Sequence, residues 1–237
     1  MALGHYRLPF LHISDLHARG PREKEPWRRR RVLGDAWLRN LETLLAEEGP
    51  IDFVFFTGDA AQSDEPDEYA EVTDFFRALC EELDLGMDRL FVVPGNHDVD
   101  RDAHANEWRL ARIRLAAKND LLGVSRWMND ISAQPPSGFE EPWKRALLDR
   151  EHGYRAWLEN DLGRAARAGL GYRSSVDLPG WAHPIHIVGL DTAWLCGDDA
   201  DAGHLLATEN QIGRHLSDAR GDPLPGLRIR ADASSAP

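Results

Sequence analysis

Three times within the first 122 residues, a short apolar run stops at a turn and gives way to a longer stretch whose apolar residues recur every three or four positions. The first run, Leu8 to Ile13, reads as a buried strand reaching Asp15, and the polar "SDLHARGPREKEP" follows it as a loop. From Trp27 to Glu48, the residues Leu33, Trp37, Leu41, Leu44 and Leu45 mark one face of an amphipathic helix, which Gly49-Pro50 ends. "IDFVFF" is β-branched and aromatic, stops at Thr57-Gly58-Asp59, and leads to a second helix carrying Val72, Phe75, Phe76, Leu79, Cys80 and Leu83. "RLFVV" is a third strand, broken by Pro94-Gly95, with a helix expected over Asp102 to Leu122 whose apolar side holds Trp108, Leu115 and Leu122. A chain that repeats strand, loop and helix in this way is committed to an α/β fold with parallel strands and covering helices.

Beyond this point the periodicity weakens. Residues 123 to 149, with "SAQPPSGFEEP", read as a lid-like excursion before a helix from Tyr154 to Ala168. Strands resume at "GYRSSVDL" and "PIHIVGLDTAW", a helix follows over Thr208 to Ala219, and "GLRIR" is a last strand. Residues 1–230 therefore read as one domain and 231–237, "ADASSAP", as a polar tail. With 237 residues and 42% of them apolar, the chain can bury an ordinary core. Its net charge of −12 means that any bound anion needs a local device. Cys80 and Cys196 show no metal or disulfide spacing, and no secretory leader or membrane-spanning run is visible, so a cytoplasmic protein without a membrane partner is expected.

The three strands end in Asp15-Leu16-His17, Gly58-Asp59 and Gly95-Asn96-His97-Asp98. Groups at the carboxyl ends of neighbouring parallel strands converge on one crevice, so residues forty positions apart can share a site. Alternate residues of an extended segment point the same way, which would bring Asp15 and His17 to one ion. Carboxylate, imidazole and amide oxygen together suit manganese, iron, zinc or nickel. A carboxylate such as Asp59 can bridge two ions, and a two-metal centre activates water while neutralising a phosphoryl group.

In this order and on strand ends, D-x-H, G-D and G-N-H-D resemble the motifs of the calcineurin-like metallophosphoesterase superfamily over roughly residues 8 to 101, and "GLDTAW" at 189–194 is similar to a later strand of that family. The resemblance implies an α/β/β/α sandwich of mixed sheets flanked by helices. It implies one or two divalent transition metal ions per chain, with Asp15 and His17 on the first, Asp59 bridging, and Asn96 on the second. His97 would face the substrate and protonate the leaving group or stabilise phosphate, with Asp98 orienting its ring. Asn96, His97 and Arg101 would bind substrate, Arg101 either touching phosphate or pairing with Asp100. The implied activity is hydrolysis of phosphate esters by metal-activated hydroxide, with a phosphodiester, either a cyclic nucleotide or nucleic acid, favoured over a monoester.

The pattern departs from the family after "GLDTAW". A lone metal-binding histidine and a G-H-x-H motif would complete both ion sites, and neither is found; Gly203-His204-Leu205-Leu206 lacks the second histidine, so His204 is expected in a loop. "GLRIR" occupies the place of the strand leading to the lone histidine, so the second sheet is expected to be incomplete, with an exposed edge or apolar face, and a C-terminal region or fused partner domain to be missing. One metal should then bind better than two. The alternative is a catalytically weak binding or regulatory module from a larger signalling protein. His5, His12, His183 and His186 read as structural, His186 being the one to examine as a substitute ligand. "WRRRR" at 27–31 reads as the solvated start of a helix, with guidance of nucleic acid as its functional alternative. Trp127, Trp143, Trp157, Trp181 and Trp194 are expected in packing roles.

Overall fold

The second and third apolar runs become strands buried on both faces, whereas the first, expected to be buried, lies at the sheet edge with Phe10 exposed. The computed structural model describes residues 7–23, 34–164, 169–197, 206–218 and 220–233. Strands β1 (Phe10–Ile13), β2 (Phe53–Thr57) and β3 (Leu90–Val93) form a parallel sheet in the order β1-β2-β3, in register Phe10 with Phe53 and Val54 with Leu90. Helix α1 (Asp35–Glu48) connects the first two strands and α2 (Pro66–Glu82) the next two. Alternate residues of β2 divide between two layers. Val54 and Phe56 pack with Val72, Phe76 and Leu79 of α2, whereas Phe53 and Phe55 face Tyr172, Ile185 and Ile187.

Those last residues belong to a second sheet, built from β4 (Tyr172–Val176), β5 (Ile185–Leu190) and β6 (Leu227–Asp232) in the order β4-β5-β6. The β4–β5 pair is antiparallel and β5–β6 parallel. The two sheets lie face to face through Phe53, Phe91, Ile187 and Ala231. Helix α7 (Glu209–Leu216) packs on β5, its Gln211 donating to the Asp191 carbonyl at 2.8 Å. Helix, sheet, sheet and helix layers are thus present as expected. Among the described residues β6 is an edge strand, with Leu227 exposed at its start. The strand continues through Ala231 and Asp232, and Ala233 is buried, so the first residues of the expected tail belong to the sheet.

Two other expectations need correction. The single helix over 102–122 is two helices, α3 (Ala105–Lys118) and α4 (Leu121–Met128). Asn119 closes α3 with a left-handed backbone, φ 51°, and Asp120 caps α4 by accepting from the Gly123 amide at 2.8 Å. Trp108 and Leu115 do pack inward, but Leu122, carried past this break, is exposed. The expected excursion over 123–149 holds the rest of α4 and all of α5 (Glu141–Asp149), and Phe139 within its loop is pinned edge-on between Trp127 at 5.9 Å and Trp143 at 5.6 Å. The Pro-Pro-Ser-Gly segment marks a short turn between packed helices rather than a lid.

Helix α6 (His152–Asn160) begins before the expected Tyr154 and lays Trp157 against Tyr69 of α2, ring centroids 5.1 Å apart. Trp127, Trp143, Trp157 and Trp194 are all buried, and Trp181 packs at the margin between the sheets. His5, the "WRRRR" segment and His204 lie outside the described residues.

Candidate metal centre

Three loops meet at the carboxyl ends of the first sheet. The segment after β1 runs beside the segment after β2: the Asp15 amide donates to the Gly58 carbonyl at 3.1 Å, His17 to Asp59 at 2.8 Å and Ala18 to Ala60 at 2.9 Å. Asp15, His17 and Asp59 all adopt left-handed backbone, with φ of 62°, 46° and 60°. Side chains other than glycine reach this region at a cost of about 1–2 kcal/mol each, least for Asp, Asn and His. The convergence of Asp15 and His17 therefore does not come from strand alternation: β1 ends at Ile13, and two left-handed residues turn the carboxylate and imidazole toward Asp59.

The glycines of the motifs have a steric cause. A Cβ at Gly95 would stand 2.3 Å from Asp59 Oδ1, and one at Gly58 would stand 2.9 Å from the Ala233 Cβ and 3.0 Å from the Gly95 Cα. Only bare backbone lets the loops approach this closely.

Ligand atoms of Asp15, His17 and Asp59 lie within 4.8 Å of one another. His17 Nε2 stands 3.7 Å from Asp15 Oδ1 and 4.0 Å from Asp59 Oδ2. Donors bound to a transition ion at about 2.0–2.2 Å stand roughly 3–4.4 Å apart, so small side-chain rotations bring this mixed carboxylate and imidazole set to one ion. Burial lowers the His17 pKa, and His97 and Arg19 act in the same direction against Asp59 and Asp15, which keeps the ring in the neutral form that coordinates metal. Asp59 Oδ1 accepts the His97 amide at 2.9 Å, leaving Oδ2 turned toward His17. Asn96 lies between Gly95 and His97, the two residues that flank this carboxylate. Among the described residues Asp15, His17 and Asp59 form the one such group of His, Cys, Asp and Glu.

His97 stands edge-to-face against His17 with ring centroids 4.6 Å apart. Its Nδ1 is 3.0 Å from the Gln62 carbonyl and 3.0 Å from Gln62 Nε2. The expectation that Asp98 orients this ring is overturned. Asp98 is fully buried, and its carboxylate accepts from the amides of Ala60 at 3.1 Å, Ala61 at 2.8 Å and Gly95 at 2.9 Å, with the Tyr69 hydroxyl at 3.1 Å. Its physical task is to tie the loop after β2 to the loop after β3, because three inward-pointing amides need an acceptor. Burial raises its pKa to about 6 while the amide hydrogen bonds pull the other way.

Tyr69 also touches Asp64 at 2.8 Å, and Asp64 accepts from the Gly153 and Tyr154 amides at the start of α6. Burial pushes Asp64 up to about 8, against the hydrogen bonds that it accepts from Tyr69, Gly153 and Tyr154.

Arg101 follows in the same loop, half-buried. Asp100, considered as its partner, has its Oδ1 engaged by the Asp102 amide at 2.9 Å and the Ala103 amide at 3.1 Å. His186 is excluded as a substitute ligand because both ring nitrogens are engaged, Nδ1 by Ser175 Oγ at 2.8 Å and Nε2 by the Pro225 carbonyl at 3.0 Å. His12 Nε2 pairs with Thr57 Oγ1 at 2.6 Å. Gln62 is the contact that sequence reasoning missed. It sits three residues after Asp59 in a polar loop, and the spacing from the G-D motif was the only signal that could have pointed to it.

Comparison with known proteins bears on this geometry. The family model described as calcineurin-like phosphoesterase matches residues 8–165, from just before β1 to just after α6, a span that includes every residue of the cluster. No curated protein matches the chain.

Proposed function

The chain belongs to the calcineurin-like phosphoesterase family, which binds divalent metals and acts on phosphate esters, and from that premise we propose that it is itself a metal-dependent phosphoesterase whose centre is Asp15, His17, Asp59 and Asn96. The observation that carries the reading is the convergence of Asp15, His17 and Asp59 on left-handed backbone at the ends of two parallel strands. Asp15, His17 and Asp59 would hold a first divalent ion, and Asp59 with Asn96 a second. Such ions, when bound, lower the pKa of water and offset phosphoryl charge.

The chain's own residues supply the remainder. His97, whose Nε2 has no protein partner among the described residues, gives a hydrogen bond or proton to the departing oxygen. Asn96 and Arg101 hold the phosphate. Asp98 acts through the backbone by fixing where Gly95 and Ala61 stand. A phosphodiester, such as a cyclic nucleotide or a nucleic acid, is the favoured substrate class, manganese, iron, zinc or nickel the ion, and the cytoplasm the setting. No helix among the described residues is long and apolar enough to cross a membrane.

The test is hydrolysis of a generic phosphodiester and a phosphomonoester by the purified chain with added manganese, beside Asp59→Asn. Manganese-dependent hydrolysis abolished by Asp59→Asn is expected, and full activity in the variant rejects the centre. A second reading, a binding module without turnover, is motivated by a cluster that offers three ligands to a single ion. Tight nucleotide binding with no hydrolysis in saturating manganese would favour it.

A further inference from the structure

We propose that the ion pair of Arg22 and Glu68 is a clasp between the two loops that carry the metal ligands, so that both residues position Asp15 and His17 against Asp59. One buried carboxylate reaches both loops. Glu68, in the first turn of α2, accepts through Oε2 from the amides of Gln62 at 3.1 Å and Ser63 at 2.9 Å, in the loop that carries Asp59, and through Oε1 from Arg22 Nη2 at 2.6 Å. Arg22 closes the short turn Gly20–Arg22, in the loop that carries Asp15 and His17.

Two simpler roles do not account for these contacts. The Glu65 amide, 3.3 Å from Oε2, makes Glu68 part of the cap of α2, but a cap needs that contact alone, and the other three reach segments outside the helix. An ordinary surface bridge leaves both partners in water. Here the Arg22 side chain is 56% exposed and that of Glu68 only 1%, with both carboxylate oxygens engaged. The turn is seated on the helix by bare backbone: a Cβ at Gly20, φ 50°, would stand 2.7 Å from the Asp67 carbonyl oxygen.

The ligands themselves give the loops a reason to part. Asp15 and Asp59 bring two carboxylates within 4.8 Å, and like charges at that distance repel until an ion neutralises them. The ladder of backbone hydrogen bonds between the loops runs as far as the Gln62 amide on the Ala18 carbonyl at 2.9 Å, and beyond that rung Arg22 supplies the charged contact. Ligands already gathered bind an ion without the cost of gathering them, and residues that hold ligands from behind carry about ten- to a hundredfold in metal affinity. The consequence for metal rests on the phosphoesterase reading, whereas the consequence for the loops does not.

The experiment uses the full chain and two readouts. In Arg22→Ala the dissociation constant of the tighter manganese site should rise about tenfold by calorimetric titration, while the denaturant midpoint stays close to wild type, because the lost side chain is largely in water. Arg22→Lys, which keeps the charge but not the fork of donors, should recover part of the affinity. In the metal-free chain, the amides of His17 and Ala18, which cross to the other loop at 2.8 and 2.9 Å, should exchange with deuterium roughly fivefold faster in Arg22→Ala. Unaltered manganese affinity in the folded variant overturns the role at the metal centre, and so does a loss of affinity that only accompanies a general loss of stability. Unaltered exchange at His17 and Ala18 overturns the clasp itself, and that readout decides it even if the wild-type chain binds no manganese, a result that would reject the phosphoesterase reading.

Discussion

His17 in the first sheet's loops and His186 on the central strand of the second sheet show how the two halves of the molecule use one residue type. His17 reaches the end of the sheet on left-handed backbone and stands within 4 Å of two carboxylates, whereas His186 is buried with both nitrogens engaged by Ser175 and Pro225. Acids divide in the same way. Asp59 keeps Oδ2 toward the cluster, while Asp191 accepts from the Trp194 amide at 3.2 Å and from Arg155 at 3.2 Å. His17 is delivered beside two carboxylates, whereas His186 is held between Ser175 and Pro225. Position on a strand is not sufficient.

The largest effect should come from removing the shared carboxylate. Asp59→Asn should lower manganese affinity and phosphodiester hydrolysis by about 10³-fold, some 4 kcal/mol, read by calorimetric titration and initial rates. A variant that kept both would erase the distinction between the halves.

Asp98→Ala should follow. It leaves three buried amides and a tyrosine hydroxyl without their acceptor, so denaturant unfolding should show a loss of about 3 kcal/mol. The same change, if it cost no stability and altered only the behaviour of His97, would restore the role that the geometry takes from Asp98.

His186→Ala sharpens the contrast from the other side. It should cost about 2 kcal/mol through two lost hydrogen bonds and a small cavity, with bound manganese per chain unchanged. Reduced metal content in the folded variant would return His186 to the list of ligands.

The smallest effect concerns a buried pair of acids. Glu151 is fully buried, pairs through Oε2 with Arg155 at 2.7 Å, and faces the carboxyl group of Asp191. Burial first, and then Asp191, push its carboxyl well above the ordinary value of 4.5, against the pull of Arg155. A raised folded-state pKa favours the folded state below the unfolded value and loses that advantage as pH rises through the folded one. Wild-type stability should therefore decline as pH climbs above about 4.5, and Glu151→Gln, which mimics the protonated form, should lessen that decline by about 1 kcal/mol in melts between pH 5 and 9. Parallel pH profiles would mean that Glu151 does not carry the proton.

Much of this architecture was legible because strands covered on both faces must be continuously apolar, as "FVFF" and "LFVV" are. The break between α3 and α4 was not, since Asn119-Asp120 interrupts an otherwise helical pattern through a left-handed residue and a cap whose effects are local. Helix α5 was obscured by the prolines just before it. At the site, Asp15, His17 and Asp59 could be named from three motifs, yet the physical cause of their convergence is backbone handedness rather than alternation. The partners of Asp98 and His97 depend on distances across loops that residue order does not contain. Gln62 looked like any polar loop residue until its carbonyl and amide were found on the same nitrogen.

The most direct test of the account is a calorimetric titration of the metal-free chain with manganese, counting ions per chain beside Asp59→Asn. One site clearly tighter than any other, weakened by Asp59→Asn, is predicted from a cluster in which three ligands serve one ion. Two equally tight sites, or a tight site indifferent to Asp59, would contradict it.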